Sequence, residues 1–410
     1  MYDFIRYRLV PPVFLVVFTG LVQVLTLYGR GRIVTLEAIA SGFRGNAESW
    51  TLVSLFIVWA FIWLKIPGQT TKGPPSPTGF VPVYKDNGLS YYFATMAGVL
   101  ALELTTSFQP SSRIYELMPQ ILGTLNVIAL TLCFYLFLCP SDDPEGDSGL
   151  PGLYVFYRGR NFHPTILGVD VKQLTNCRIG LMAWQVLVWA FFMVSIDRNG
   201  FSLAAFTTFV LQTAYLIKFF YWEGGYFHTI DIILDRAGYY ICWGCLVWVP
   251  CFYTFTSYYL VHNEPVMGNA AAACILAVGL ASIYLNYTVD AQKQEFRESE
   301  GKCKIWGRPA EYITAFYVDH SGAKRKSLLL TSGFWGEARH LNYDFELALT
   351  LCWCLPGWGL GPGPFFYFIF LFGLLVHRVF RDEEKCKQKY GLYFDVYCKV
   401  VPYRMIPGIF

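Results

Sequence analysis

Two polar blocks near the end of the chain, Ser332-Gly-Phe-Trp-Gly-Glu-Ala-Arg-His-Leu-Asn-Tyr343 and Arg381-Asp-Glu-Glu-Lys-Cys-Lys-Gln-Lys-Tyr390, bracket a short apolar segment. They place cations, hydrogen-bonding groups and aromatic rings side by side in a chain that is otherwise mostly apolar. A large, anionic, partly aromatic ligand such as a nucleotide can use that mixture. The alternative is a basic tail that meets anionic lipid headgroups beside a membrane span. Residue chemistry alone leaves both hypotheses open.

The whole chain has the composition of a membrane protein. Of its 410 residues, 55% are hydrophobic and 18% aromatic, and only 15% are charged. Soluble domains average roughly 25% charged residues. The net charge is +3 and the basic residues are scattered over loops, which argues against nucleic acid as a partner. The sequence therefore predicts an all-α, multi-pass integral membrane protein whose environment is the lipid bilayer.

The 12 cysteines fall mostly inside apolar runs, where a thiol usually acts as a small hydrophobe. Cys242-x-x-Cys245 lies in such a run, so packing explains it better than redox chemistry or metal binding. We predict neither a disulfide framework nor a metal site.

Hydropathy along the chain predicts a helical bundle of about nine or ten spans, each of which needs about twenty mostly apolar residues. Eight segments qualify or nearly qualify, and they are centred on 9–28, 50–66, 90–106, 119–138, 179–196, 201–221, 238–261 and 269–287. The first of them is interpreted as a retained span rather than a cleaved signal. Two shorter stretches, 347–357 and 365–380, flank a Gly/Pro-rich run and are expected to form a helical pair, one member of which need not cross fully.

Lys and Arg residues set the expected orientation. The loop 262–268 has none, whereas 288–346 carries nine, so the longer segment is expected on the cytoplasmic side. With eight spans before it, the N-terminus falls on the same side. Arg30, Arg32 and Arg44 in the first loop oppose this assignment.

Charged residues also lie between two apolar helices, namely Glu223, His228, Asp231, Asp235 and Arg236. Charges at membrane depth are costly unless they are paired or line a polar cavity. They are interpreted either as the wall of a ligand chamber or as a structural network. We favour the network, with Asp231 or Asp235 neutralising Arg236.

Two further features are candidates for chemistry. Pro250 removes one helix hydrogen bond from its span, and Tyr253 follows three residues later as a phenol in apolar surroundings. Tyr253 is a candidate proton donor, although core packing is the simpler explanation.

Lys293 and Arg297 are spaced i, i+4, on one face of a helix leaving the membrane. That pair suits a phosphate, with a lipid headgroup as the alternative.

The segments Leu329–Tyr343 and Arg381–Gly391, with Tyr397 and Val401-Pro-Tyr-Arg404 after the second, are similar to two signatures of the sterol reductases, a family that saturates sterol double bonds with NADPH. The resemblance extends to 231–250 and 80–88. Asp235-Arg-Ala-Gly238 and Cys242-Trp-Gly-Cys-Leu-Val-Trp248 look most like the plant-type members that act on the C7–C8 bond.

The chain also departs from the family pattern. Asn342-Tyr-Asp-Phe-Glu-Leu347 stands where many C14-type relatives have Asn-Tyr-x-Gly-Asp-Leu, which favours action at C7. Cys245 replaces an Asp found in some relatives, so no catalytic role is carried over to that position.

The resemblance implies a function and a cofactor site. The function is NADPH-dependent reduction of the C7–C8 double bond of a 5,7-diene sterol, with residues 1–240 as N-terminal membrane helices and 241–410 holding the sterol pocket and the NADPH site. Other sterol-biosynthesis enzymes are implied as candidate partners. The membrane would be the endoplasmic reticulum in a eukaryote and the inner membrane in a bacterium. The residues implied to line the NADPH site are Lys293, Arg297, Leu330, Trp335, Asn342, Tyr343, Asp382, Cys386, Lys389, Tyr390 and Tyr397.

Reduction of an electron-rich diene by hydride requires protonation of one alkene carbon. We expect Tyr253 to donate this proton and Asp382 to polarise or reprotonate the phenol. The alternatives are a C14 or C24 reductase of the same family, a small membrane methyltransferase, and a non-catalytic sterol-binding protein. A methyltransferase binds S-adenosylmethionine and does not need a phosphate-binding pair such as Lys293 and Arg297.

Overall fold

The computed structural model describes residues 4–76, 79–139, 149–318 and 322–410, and it divides into two compact units. The first unit comprises Met1–Val266 and Gly359–Pro364, and the second comprises Met267–Trp358 and Phe365–Phe410. The predicted functional division between residues 240 and 241 stays a prediction. All eleven residues expected at the cofactor site belong to the second unit, and Tyr253 belongs to the first.

The first unit is a bundle of helices with two short antiparallel strand pairs, β1 with β2 and β3 with β4. The strands are β1 Thr70–Lys72, β2 Val83–Lys85, β3 Thr165–Ile166 and β4 Val169–Asp170. The helices are α1 Ile5–Gly29, α2 Leu36–Arg44, α3 Ala47–Lys65, α4 Gly88–Thr105, α5 Pro110–Glu116, α6 Met118–Leu138, α7 Gly152–Arg158, α8 Gln173–Asn199, α9 Leu203–Tyr221, α10 Glu223–Tyr226, α11 Ile230–Ile233 and α12 Tyr239–His262.

The core of this unit is formed by α8 and α12, which pack against each other. Their apolar stretches are 78% and 89% buried, compared with 22% for α3. Local sequence fixes the start of α3. The Asn46 side chain accepts from the Ser49 amide at 2.8 Å, and the Ser49 hydroxyl accepts from the Asn46 amide at 3.0 Å, which is a capping box that begins α3.

A fully buried ion pair joins α8 to α10. Arg178 is 0% exposed and donates to both carboxylate oxygens of Glu223, which is 2% exposed. Arg178 Nη2 also donates to Asn87 Oδ1 at 2.9 Å. The charge of Glu223 is therefore neutralised by a residue that the sequence analysis did not consider. The pairing of Arg236 with Asp231 or Asp235 stays a prediction.

The second unit combines helices with a longer hairpin. Its helices are α13 Asn269–Glu298, α14 Phe334–Glu337, α15 Leu341–Cys354, α16 Phe366–Tyr390 and α17 Leu392–Val400. Its strands are β5 Lys304–Ile305, β6 Arg308–Pro309, β7 Tyr312–Val318 and β8 Lys324–Leu330. Strand β5 pairs antiparallel with β6, and β7 pairs antiparallel with β8 to form the longer hairpin. Helix α15 packs along α13 and against α16, while β7 contacts α16 and α17. The hairpin was not predicted, although the β-branched and aromatic residues of β7 favour a strand.

The predicted polytopic helical bundle is confirmed. Within the described ranges, eight helices are long and apolar enough to cross a membrane, and they cover Ile5–Gly29, Ala47–Lys65, Met118–Leu138, Gln173–Asn199, Leu203–Tyr221, Tyr239–His262, Asn269–Glu298 and Gly363–Tyr390. The predicted number was about nine or ten. The difference arises because α4 carries polar residues, among them Glu103, and because the 14 residues of α15 extend only about 21 Å, less than the ~30 Å of a bilayer core.

Candidate cofactor site

The charged residues in the last turns of α13 include Asp290, Lys293 and Arg297. Their spacing of three and then four residues places them along one side of the helix, as expected for the two cations. The side chain of Lys293 is partly buried and that of Arg297 is exposed. Helix α13 therefore presents one sheltered and one accessible cation, one turn apart.

Trp335 holds Lys293 in place. The Lys293 ammonium lies 3.5 Å from the centroid of the Trp335 ring, a cation–π contact that contributes about 0.5 to 2 kcal/mol. Trp335 is only 5% exposed, and its indole N–H donates to the Val289 carbonyl at 2.8 Å. Leu330 packs in the same apolar cluster. The contacts in this unit thus make Trp335 a support for Lys293, while stacking of its ring on the cofactor stays a prediction.

The turn before α14 depends on a glycine. Gly333 has a φ of +66°, which side-chain-bearing residues rarely adopt. A Cβ at this position would also collide with Gln292 and, at 2.5 Å, with Ile305. Gln292 Oε1 accepts the Phe334 amide at 3.0 Å, so the close approach of Gly333 ties α14 to α13 and fixes the position of Trp335.

Asn342 lies at the start of α15 and faces α13. Its Nδ2 donates to Asp290 Oδ1 at 3.1 Å, and its backbone carbonyl accepts from Asn286 Nδ2 at 2.9 Å. The side-chain oxygen, Oδ1, is buried and has no hydrogen-bond donor among the described residues. A buried acceptor without a donor costs about 1 to 3 kcal/mol, which a ligand N–H or O–H would relieve.

His340 connects α15 to α16. Its ring stacks on that of Tyr343 with centroids 5.3 Å apart, and its Nε2 lies 3.9 Å from Asp382 Oδ2. Cys386 Sγ lies 3.9 Å from the same carboxylate oxygen. His340, Tyr343, Asp382 and Cys386 therefore form one connected group.

The imidazole of His340 is neutral. Burial, together with the positive charges of Lys293, Arg339 and Arg404, lowers the pKa of His340 to about 3. Its contact with Asp382 is for this reason not an ion pair.

The remaining predicted residues lie where α16, α17 and the hairpin meet. Tyr390 places its hydroxyl 3.2 Å from Ser327 Oγ on β8, and the exposed Lys389 holds its ammonium 4.3 Å from the Tyr317 ring. Tyr397 is buried in an apolar cluster whose partly buried neighbours include Cys386 and Tyr390. Burial raises the pKa of Tyr397, so its phenol is neutral.

Sequence analysis missed the network that anchors the tail. Arg339, 6% exposed, donates through Nε to Glu383 Oε1 at 2.9 Å and through Nη1 to the Val401 carbonyl. Arg404 donates to the other oxygen of Glu383 at 2.8 Å. Arg339 and Glu383 lie in the two polar blocks, but only tertiary structure shows that they pair.

We call Asp290, Lys293, His340, Asn342 and Asp382 the polar cluster. It brings together three predicted residues, Lys293, Asn342 and Asp382, with two that the prediction left out. In the sequence, Asp290 could have been identified by its position one turn before Lys293. His340 could have been identified by its closeness to the Asn342-Tyr343 motif.

Tyr253 ends the wide, π-type part of α12, a helix geometry frequent at functional sites. Its partly buried ring meets the Trp184 ring edge-on, with centroids 5.2 Å apart. Trp184 Nε1 donates to Gln212 Oε1 at 2.8 Å, and Gln212 Nε2 donates to Ser257 Oγ at 2.8 Å. Tyr253 thus adjoins a buried polar chain within the first unit.

The fold defines a multi-pass integral membrane protein, and its second unit carries a polar cluster suited to an anionic cofactor. A model of the ergosterol biosynthesis ERG4/ERG24 family matches residues 15–410, and the chain belongs to this family. The resemblance to sterol reductases is thereby confirmed.

Three relatives illustrate the similarity. The chain is 41% identical to the 7-dehydrocholesterol reductase of Arabidopsis thaliana, over 90% of this chain and 89% of that protein. It is 33% identical to the Xenopus laevis protein of the same name, over 89% of this chain and 81% of the relative. It is 32% identical to the Delta(14)-sterol reductase of Methylotuvimicrobium alcaliphilum, over 88% and 84%.

Proposed function

We propose that this protein uses NADPH to reduce the C7–C8 double bond of a 5,7-diene sterol. The protein is a sterol Δ7 reductase, an oxidoreductase of sterol biosynthesis. The plant and frog relatives, both named 7-dehydrocholesterol reductase, support action at C7. The sterol reaches the protein from the surrounding bilayer. In a eukaryote the membrane is that of the endoplasmic reticulum, where other sterol-biosynthesis enzymes are candidate partners, and in a bacterium it is the inner membrane.

The observation that carries the cofactor assignment is the polar cluster. In it, the buried Asn342 Oδ1 has no donor among the described residues, and Lys293 lies one turn beyond Asp290, to which Asn342 Nδ2 donates. The residues fit NADPH chemically, because Asn342 Oδ1 can accept from a carboxamide or a ribose hydroxyl, and Lys293 and Arg297 can meet phosphate oxygens. Lys389 adds an exposed cation. When bound, NADPH supplies the hydride.

The chain itself has to supply the proton. Tyr253 is the donor in this proposal, and Asp382 polarises or reprotonates the phenol, since a phenol needs help at neutral pH. The proton adds to one carbon of the C7–C8 bond, and the carbon left electron-deficient receives the hydride. One sterol, one NADPH and one proton yield the dihydrosterol and NADP⁺.

Arg297→Ala is expected to raise the KM for NADPH about tenfold and to change the KM for NADH much less. The exposed guanidinium is placed to meet the 2′-phosphate, and a charge-assisted hydrogen bond is worth about 1.5 to 3 kcal/mol. Steady-state kinetics with both nucleotides measure this. Lys302→Ala, which removes an exposed cation just beyond α13, serves as the control. Equal kcat/KM for NADPH and NADH in the unaltered enzyme would contradict the 2′-phosphate assignment.

Asn342→Ala and Tyr390→Phe are expected to weaken NADPH binding while leaving the bundle folded. Each removes a polar group from the site, and among the described residues the Tyr390 hydroxyl makes one hydrogen bond, at 3.2 Å, with Ser327. The measurement is the melting midpoint in detergent with and without NADPH. The variants should melt like the parent without NADPH and gain less from it. A midpoint lowered equally in both conditions would assign these residues a structural role.

A Δ14 reductase is the second candidate, because the bacterial relative bears that name at 32% identity. The position of the double bond that is lost separates the two, so identification of the product decides between them.

A further inference from the structure

A separate polar cavity of about 470 Å³ lies in the first unit, where α1, α5, α8 and α12 have their ends. None of the predicted cofactor-site residues lines it. Its charged lining residues and histidine are Arg30, Arg32, Glu116, Asp197, Arg198 and His262.

The lining has an excess of positive charge. Three arginines face two carboxylates, which is an excess of one positive charge before His262 is counted. One of the carboxylates, Glu116, is already engaged by Arg113 at 2.8 Å. Within the described part of the chain, Arg30, Arg32 and Arg198 form no ion pair.

Aromatic contacts hold two of these arginines in place. The Arg30 guanidinium lies 4.6 Å from the centroid of the Tyr115 ring, and Arg198 Nη1 donates to the Tyr115 hydroxyl at 3.4 Å. Arg30 Nη1 donates to the Glu116 carbonyl at 3.3 Å. Arg30 Nε and Nη2 are buried and have no acceptor among the described residues. Such donors are costly to bury without a partner, so the cavity is prepared for an acceptor.

We propose that this cavity binds a phosphate group. Guanidinium groups recognise phosphate oxygens with paired hydrogen bonds, and three arginines here lack a carboxylate partner. The cavity lies where three candidate membrane spans, α1, α8 and α12, end, and a spanning helix ends near the level of the lipid headgroups. The phosphate belongs either to a lipid headgroup or to a soluble anion. Phosphate binding also explains why Arg30 and Arg32 lie in the first loop, where the positive-inside rule does not favour arginine in the expected orientation.

The test measures the melting midpoint of the full-length protein in detergent. One arm adds sodium phosphate against sodium chloride at equal ionic strength. The other adds a short-chain phosphatidylglycerol to the micelle against short-chain diacylglycerol. The variants are Arg30→Gln and Arg198→Gln. Arg44→Gln, outside the cavity, is the matched control, and Arg297→Gln reports any phosphate binding at the proposed cofactor site.

We expect a saturable rise of the midpoint in at least one arm, with an apparent Kd about tenfold weaker in Arg30→Gln and in Arg198→Gln. Arg44→Gln should respond like the parent, and a saturable rise should remain in Arg297→Gln. A rise with free phosphate identifies a soluble anion, and a rise with the phospholipid alone identifies a headgroup. No saturable rise in the parent overturns the proposal, and so does an unchanged Kd in Arg198→Gln. The Arg198 side chain is exposed, so its replacement is not expected to disturb folding. Loss of the response in Arg297→Gln overturns it too.

Discussion

Tyr253→Phe is expected to lower kcat by at least about 10²-fold, the usual loss when a general acid is removed, with little change in NADPH affinity. The substitution deletes one hydroxyl and keeps the ring that packs edge-on against Trp184. Steady-state turnover and a nucleotide titration measure the two quantities separately. Asp382→Asn is expected to impair turnover as well and to change KM, because Asp382 also belongs to the polar cluster.

Tyr259→Phe is the matched control in the same helix. The Tyr259 hydroxyl donates to the Leu360 carbonyl at 2.8 Å, so its loss should affect stability more than chemistry. If Tyr253→Phe turns over at a near-normal rate, Tyr253 is not the donor. Asp382 acting through water, or another phenol such as Tyr258, is then the group to examine.

Glu383→Ala is expected to destabilise the second unit strongly. Glu383 receives hydrogen bonds from both Arg339 and Arg404, and Arg339 is buried. Removing one partner of a buried ion pair costs about 3 to 5 kcal/mol, because the remaining charge has no compensation. The measurement is unfolding in detergent, followed by melting or by titration with a denaturing detergent.

Glu384→Ala is the control for this prediction, since Glu384 is the exposed neighbour on the same helix. It should melt like the parent protein. A Glu383→Ala variant of unchanged stability would show that the Arg339 and Arg404 contacts contribute little to the fold.

Local patterns predicted what depends on local spacing. Hydropathy located the long spans, and the i, i+4 interval placed Lys293 and Arg297 along one side of α13. The Gly/Pro-rich run after residue 355 was expected to interrupt the helices, and short turns occur there. In these cases the helical period, or the poor fit of Pro inside a helix, is enough to make the prediction.

Contacts between distant segments were beyond such reasoning. Glu223 pairs with Arg178, 45 residues earlier, and Asn342 with Asp290, 52 residues earlier. Many charged residues in the chain were equally plausible partners, and only packing selects among them. The burial of Trp335 is a similar case, because its sequence neighbours suggest an accessible aromatic ring, whereas the α13 contacts enclose it.

The most direct test of the central claim is incubation of the purified protein with 7-dehydrocholesterol and NADPH, with chromatographic and mass-spectrometric identification of the product. We predict cholesterol, in which the C7–C8 bond is saturated and the C5–C6 bond is retained, formed together with an equal amount of NADP⁺. Unchanged sterol in a folded preparation, or a product saturated at a different double bond, would contradict the assignment.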